Sequence, residues 1–220
     1  MEKLIHELSA QKFNAVFNPW FDFDPEHDID HEAPIIRLNN LKFYLEERMN
    51  ARNLLVGEAM GYNGGHFSGI PMTSERILLG HKEDEGINRW LVSQQKLKRT
   101  SKKSLNELGY TEITATVVWR TFSDENLDTR DFIFWNAFPL HPYNDKILSN
   151  RPPNFNEIQF GKKIIEVLLK SFPSICNVIA MGYEAAWMLC DMKIQRERVR
   201  HPANGGAADF VSQIKQIISA

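Results

Sequence analysis

Cysteine is scarce in this chain: among 220 residues there are two, Cys176 and Cys190. That excludes a disulfide framework or a four-cysteine metal site within one chain. Long apolar runs are missing too, and the opening stretch MEKLIHELSAQKF has no apolar signal core. A cytoplasmic location with no membrane partner is the resulting expectation. A basic surplus is also absent, since 26 Lys and Arg face 28 Asp and Glu for a net charge of -2. Domains that bind nucleic acid usually carry such a surplus, so contact with DNA would have to rest on local patches. Acid is concentrated in Asp22, Asp24, Glu26, Asp28, Asp30 and Glu32. Base is concentrated in Lys96, Lys98, Arg99, Lys102 and Lys103, and again in Arg196, Arg198 and Arg200. No repeat, low-complexity tract or Gly/Ser linker divides the chain, which reads as a single domain over 1–220, with a helical lead-in over 1–50.

What is present is an ordinary globular composition, 43% hydrophobic and 25% charged. Helical periodicity appears near residues 2–13 and over Arg37–Asn50, where Leu38, Leu41, Leu45 and Met49 share a face. Asn53–Gly57 (NLLVG), Asp131–Asn136 (DFIFWN) and Asn177–Gly182 (NVIAMG) are short apolar runs of the kind buried parallel strands use. Val199–His201 is placed to close a fourth short strand. Ser74 is placed to cap a short helix through Leu79. Residues 82–130 read as an excursion, charged and polar over 82–110. Within it the β-branched stretch Thr111–Trp119 favours strand, with a helix from near Thr114 as the alternative. Asn156–Phe172 is a strong amphipathic helix, with Asn156 and Gln159 spaced as a capping box. A helix starts near Tyr183, and Ala207–Ser219 closes the chain with Phe210, Ile214 and Ile217 inward. Strands alternating with helices predict an α/β fold: a three-layer α/β/α sandwich around a central, mainly parallel four-stranded sheet.

In such folds ligands bind beyond the carboxyl ends of the strands, and three informative loops lie there. The first, GEAMGYNGGHFSGIPMTSE from Gly57 to Glu75, has five glycines that bring backbone close to a ligand. It matches neither the dinucleotide nor the triphosphate loop motif. Glu58 directly follows the strand, and a solvated edge residue is the rival reading. The second, WNAFPLHPYNDKILSNRPP from Trp135, begins with Asn136, whose amide presents a donor and an acceptor together. The rival is an asparagine that satisfies loop backbone. The third, VRHPANGGAADF from Val199, carries His201 between a basic run and the Gly205–Gly206 pair. His27 and His31 read as part of a solvated acidic loop, and His141-Pro142 as a turn.

Taken in order, GEA…SGIPMTSE, FWNAFPLHP…SNRPPNFNEI, VIAMG and RHPANGGAADF resemble the uracil-DNA glycosylase superfamily, nearest its families four and five. The likeness covers most of residues 53–215. It implies hydrolysis of the N-glycosidic bond of uracil, or a related deaminated or damaged base, in DNA, as in base excision repair. Asn136 would select the base edge. His201 would donate to the carbonyl oxygen where charge builds, and Glu58 would orient the attacking water or stabilise the cationic sugar. Gly57, Ala59, Met72 and Phe138 would line the base pocket. Arg196, Arg198 and Arg200 would hold flanking phosphates, and Asn204, Gly205 and Gly206, within the stretch 203–207, would enter the gap left in the duplex.

The pattern has departures. Met60 stands where the family has proline, and Met72 where it has the phenylalanine that stacks on the base, so Phe67, Tyr62 or Phe138 is left as the stacking ring. The four cluster-binding cysteines of family four are missing, so no iron–sulfur cluster, metal or organic cofactor is expected. DNA is the expected partner of a monomer. Two rivals stay open: a glycosylase for hypoxanthine or xanthine, and a catalytically silent nucleic-acid- or nucleotide-binding member of the superfamily.

Overall fold

A computed structural model describes residues 1–219. Its order begins with α1 (Glu2–Ser9), β1 (Val16–Phe17), α2 (Ala33–Glu46) and β2 (Asn53–Ala59). Two one-turn helices follow, α3 (Gly65–Ser68) and α4 (Glu75–Leu78), and then α5 (Ile113–Asp124). The second half runs β3 (Phe132–Phe138), β4 (His141–Pro142), α6 (Phe155–Ser171), β5 (Asn177–Met181), α7 (Gly182–Met188), β6 (Arg196–Val199) and α8 (Ala207–Ser219). Strands β2, β3, β5 and β6 form one parallel sheet in the order β3-β2-β5-β6, flanked by helices. The α/β sandwich expected from the alternation is therefore present. The short β1 and β4 pair separately and antiparallel.

The sheet forms where apolar runs are continuous. Leu54, Leu55 and Val56 of β2 are fully buried, as are Ile133 and Trp135 of β3, because a parallel strand is covered on both faces. Ring contacts tie β3 to its neighbours. Phe122 and Trp119 of α5 meet Phe132 and Phe134 edge-on at 4.7 and 4.8 Å, while Trp20 stacks parallel to Trp135. As an outer strand β3 has a free backbone edge, and α2 seals it. The Phe134 N–H donates to the Tyr44 hydroxyl at 2.7 Å, and Arg48 Nε donates to the Phe132 carbonyl at 3.0 Å. Unpaired edges left bare invite pairing with another chain.

Four expectations are corrected. Thr111–Trp119 is no strand but the start of α5. Ala115, Val118, Trp119 and Phe122 recur at helical spacing and are all buried, and that burial outweighs local β preference. The threonine hydroxyls bond back into the helix, Thr116 to the Glu112 carbonyl and Thr121 to the Val117 carbonyl, both at 2.9 Å. The 82–130 excursion shrinks accordingly, since α5 belongs to the core. Its polar part is also anchored, with the Thr100 and Ser101 N–H groups donating to buried Glu75 at 2.7 and 3.0 Å. The capping box of α6 is Asn154 with Glu157 rather than Asn156 with Gln159. The fourth strand closes at Val199, short of His201. Smaller shifts affect α1, which stops at Ser9, and α2, which starts at Ala33. The lead-in also carries β1.

Candidate active site

All four parallel strands send their carboxyl ends to one side, and a cleft of about 340 Å³ opens there. Each strand contributes to its wall: Gly57, Glu58 and Ala59 at the end of β2, Asn136 within β3, Met181 at the end of β5, and His201 after β6. Glu58, Asn136 and His201, distant in sequence, thus share one cavity within the size range of small-ligand sites.

Local packing explains each position. Gly57 and Asn136 are paired neighbours across the β2–β3 ladder, and a Cβ on Gly57 would come within 2.8 Å of the Asn136 amide. Glycine is required for the amide to lie against the strand. The amide is satisfied when its oxygen shares the Met60 N–H (3.3 Å) with the Leu140 carbonyl and its nitrogen donates to the Trp135 carbonyl (3.2 Å). One N–H and one lone pair are left over, a donor beside an acceptor. His201 accepts at Nδ1 from the Ala203 N–H at 3.1 Å. The proton of the neutral ring therefore sits on Nε2. Burial, assisted by the Arg200 charge, holds His201 below the usual imidazole range, so the neutral donor form prevails at neutral pH. Glu58 is half-buried, and burial together with Glu184 pushes its carboxyl up.

Methionine supplies most of the apolar wall: Met60, Met72 and Met181 line the cleft, and among the described residues no Phe, Tyr or Trp does. Met72 holds a left-handed backbone at φ 51°, with its carbonyl accepting from Trp119 Nε1 at 3.0 Å. Phe138 does not reach the cleft; it is fully buried, edge-on to Phe13. Phe67 is buried and stacked on Tyr110 at 4.0 Å, and Tyr62 lies outside, its N–H donating to Asn150. None of the three stacking candidates faces the cavity.

The basic residues separate. Arg198 and Arg200 line a second groove of about 300 Å³ that adjoins the cleft through His201 and also holds Tyr183 and Asp209. Arg196 lies on β6 and lines neither. In the turn after His201, Asn204 and Gly205 are exposed, whereas Gly206 is buried, where a Cβ would overlap the His201 carbonyl.

Sequence reasoning missed Glu112 and Thr114, which line the cleft from the start of α5, because that segment read as strand. Asn150, Arg151 and Pro152 also line it. They stood in the SNRPP motif without an assigned role, and that motif was their signal. Two of the histidines read as loop or turn residues, His27 and His141, join Asp24 and His66 in a buried chain away from the cleft, while His31 is exposed. His141 Nε2 must donate to the Ser149 carbonyl (2.7 Å), so its Nδ1 accepts from His66 Nδ1 at 2.9 Å. His66 Nε2 faces Asp24 at 3.6 Å, and Asp24 also bonds His27 at 2.7 Å. Among the described residues no group of three or more His, Cys, Asp or Glu side chains is arranged to hold a metal, and no helix is long and apolar enough to cross a membrane.

No family model matches the chain, and no curated protein does. Among solved structures, it is similar to wild-type SMUG2 of Pedobacter heparinus. The TM-score is 0.59 and the identity 14%, over 100% of this chain and 98% of that one. The likeness carries the fold.

Proposed function

We propose that the chain is a DNA glycosylase that hydrolyses the N-glycosidic bond of uracil or a related altered base. The observation that carries this reading is the convergence of Glu58, Asn136 and His201 on one cleft at the sheet's carboxyl edge. The fold likeness to SMUG2, a glycosylase of the uracil-DNA glycosylase superfamily, supports it. The everted base enters the cleft, and the free donor and acceptor of Asn136 pair with its edge. His201 Nε2–H donates to the base oxygen that gathers charge as the bond to C1′ lengthens. Glu58 orients water beneath the cationic sugar and takes its proton. Arg198 and Arg200 hold phosphate beside the cleft, and the exposed tip at Asn204 and Gly205 enters the gap left by the base.

The test is a panel of oligonucleotides, each with one altered base, assayed for free base with the wild type and with Asn136→Ala, His201→Ala and Glu58→Gln. Loss of the His201 donor alone should slow release about a hundredfold. Full activity in all three variants would remove the assigned roles, and binding without release would favour a silent DNA-binding protein. A second reading, hypoxanthine or xanthine as the base, is favoured by the three methionines in the cleft wall. Flexible thioethers adapt to rings of different size where a fixed aromatic would select one. The purine arms of the panel decide it.

A further inference from the structure

Glu112 belongs to the same cleft as Glu58, yet the reading above leaves it without a task. It caps the start of α5 and reaches over the glycine loop. A Cβ on Gly61 would sit 2.7 Å from one of its carboxyl oxygens, and a Cβ on Gly64 would overlap the other. The loop between β2 and α3 is therefore glycine-rich at these points because a carboxyl group fills the space. Among the described residues nothing donates a hydrogen bond to that carboxyl, and no Lys or Arg pairs with it. The one arginine in the cleft wall, Arg151, is held in a two-pronged pair with Glu157 at 2.7 and 2.8 Å. The group is partly exposed at the cleft wall, and a carboxyl shielded from water on its other sides and without a partner favours its protonated form.

We infer that Glu112 is the proton donor to the departing base, a second catalytic carboxyl beside Glu58; this rests on the glycosylase reading. Its surroundings agree, since burial alone pushes its carboxyl up to about 7, near the value that suits a general acid at neutral pH. In the step, the water oxygen bonds to C1′ as the bond from C1′ to the base nitrogen breaks. The electron pair of that bond passes to the base, which receives the Glu112 proton. The proton of the attacking water passes to Glu58, and exchange with solvent restores both groups. The net reaction is nucleotide plus water to free base plus abasic site. Two carboxyl groups divided between acid and base are the usual equipment for glycoside hydrolysis.

The experiment compares single-turnover release of uracil and of 5-fluorouracil from otherwise identical oligonucleotides by wild type and Glu112→Gln. Fluorine makes the departing anion more stable, so that base needs the acid less. The variant should lose about a hundredfold on uracil, as loss of a general acid does, and less than tenfold on 5-fluorouracil. It should also lose the decline in wild-type rate above about pH 7. Equal loss on both bases, or no loss, overturns the role. The wild-type minus Glu112→Gln infrared difference spectrum should show a protonated carboxyl band at neutral pH, and its absence also overturns the role. A wild type that releases neither these bases nor any base of the wider panel sinks the glycosylase reading, and the acid role with it. A wild type that releases both bases, with a variant that keeps pace, sinks this inference alone.

Discussion

His201 shows how a single side chain is prepared by its neighbours. The Ala203 N–H occupies Nδ1, which leaves Nε2 as the only donor of the neutral ring. A second proton would have to displace that bond, and burial and Arg200 already lower the pKa. Proton uptake is therefore centred below the ordinary imidazole value of about 6.5. Protonation of His201 should slow base release on an acid limb centred below about 6.5. A pH profile of single-turnover release checks this, and an acid limb centred above 6.5 would contradict it. Glu58, Asn136 and His201 were each legible at this scale because they sit at the ends of strand-like runs. Glu112 was not. Its place in the cleft wall depends on the glycine loop folding over it, a contact across some fifty positions that no local pattern encodes. Phe138 misled for a related reason: lying two residues beyond Asn136 does not decide which way a ring turns, and it turned into the core.

At the scale of elements, the closest packing is that of α6 on β3. Gly161 lies so near the Ala137 carbonyl that an added Cβ would overlap it, and backbone cannot rotate away as a side chain can. Gly161→Ala should therefore cost about 3 kcal/mol, the upper end for overpacked sites, seen as a lower urea midpoint with an unchanged slope. A midpoint equal to wild type would show that helix and strand can separate freely. The strands themselves were readable, since NLLV, FIFW and NVIAM leave little choice for a parallel sheet. Helix α5 was not, because its valines and threonines are strand formers whose preference yields once Trp119 and Phe122 are buried against β3. The capping box of α6 was placed two residues late because Asn154 and Asn156 offer the same cap chemistry, and only the pairing of Glu157 with Arg151 separates them.

Across the whole molecule, the buried histidines govern response to acid. Burial, the main cause in each case, lowers His66 to about 3 and His141 to about 4. The unfolded chain protonates both near pH 6.5. Between those values the unfolded state binds more protons, so stability falls as pH falls through that window. From pH 7 to 5 each histidine removes about 2 kcal/mol, and the pair should lower Tm by roughly 10 °C in a protein of this size. Asp24 adds a further loss below about pH 4. Burial raises its pKa, but the hydrogen bond with His27 at 2.7 Å outweighs that and holds it well below the usual carboxylate range. A Tm that stays level from pH 7 to 5 would show that the chain admits protons without unfolding. None of this network was visible beforehand, because Asp24, His66 and His141 meet only after β1 and β4 have brought the lead-in against the second loop.

The bond from the Trp119 indole to the Met72 carbonyl has a practical side. It couples a natural fluorophore in the core directly to the backbone of a residue in the cavity wall. Any molecule that presses on the Met72 backbone alters the polarity around that indole, so the protein carries within it an optical gauge of whether its cavity is filled.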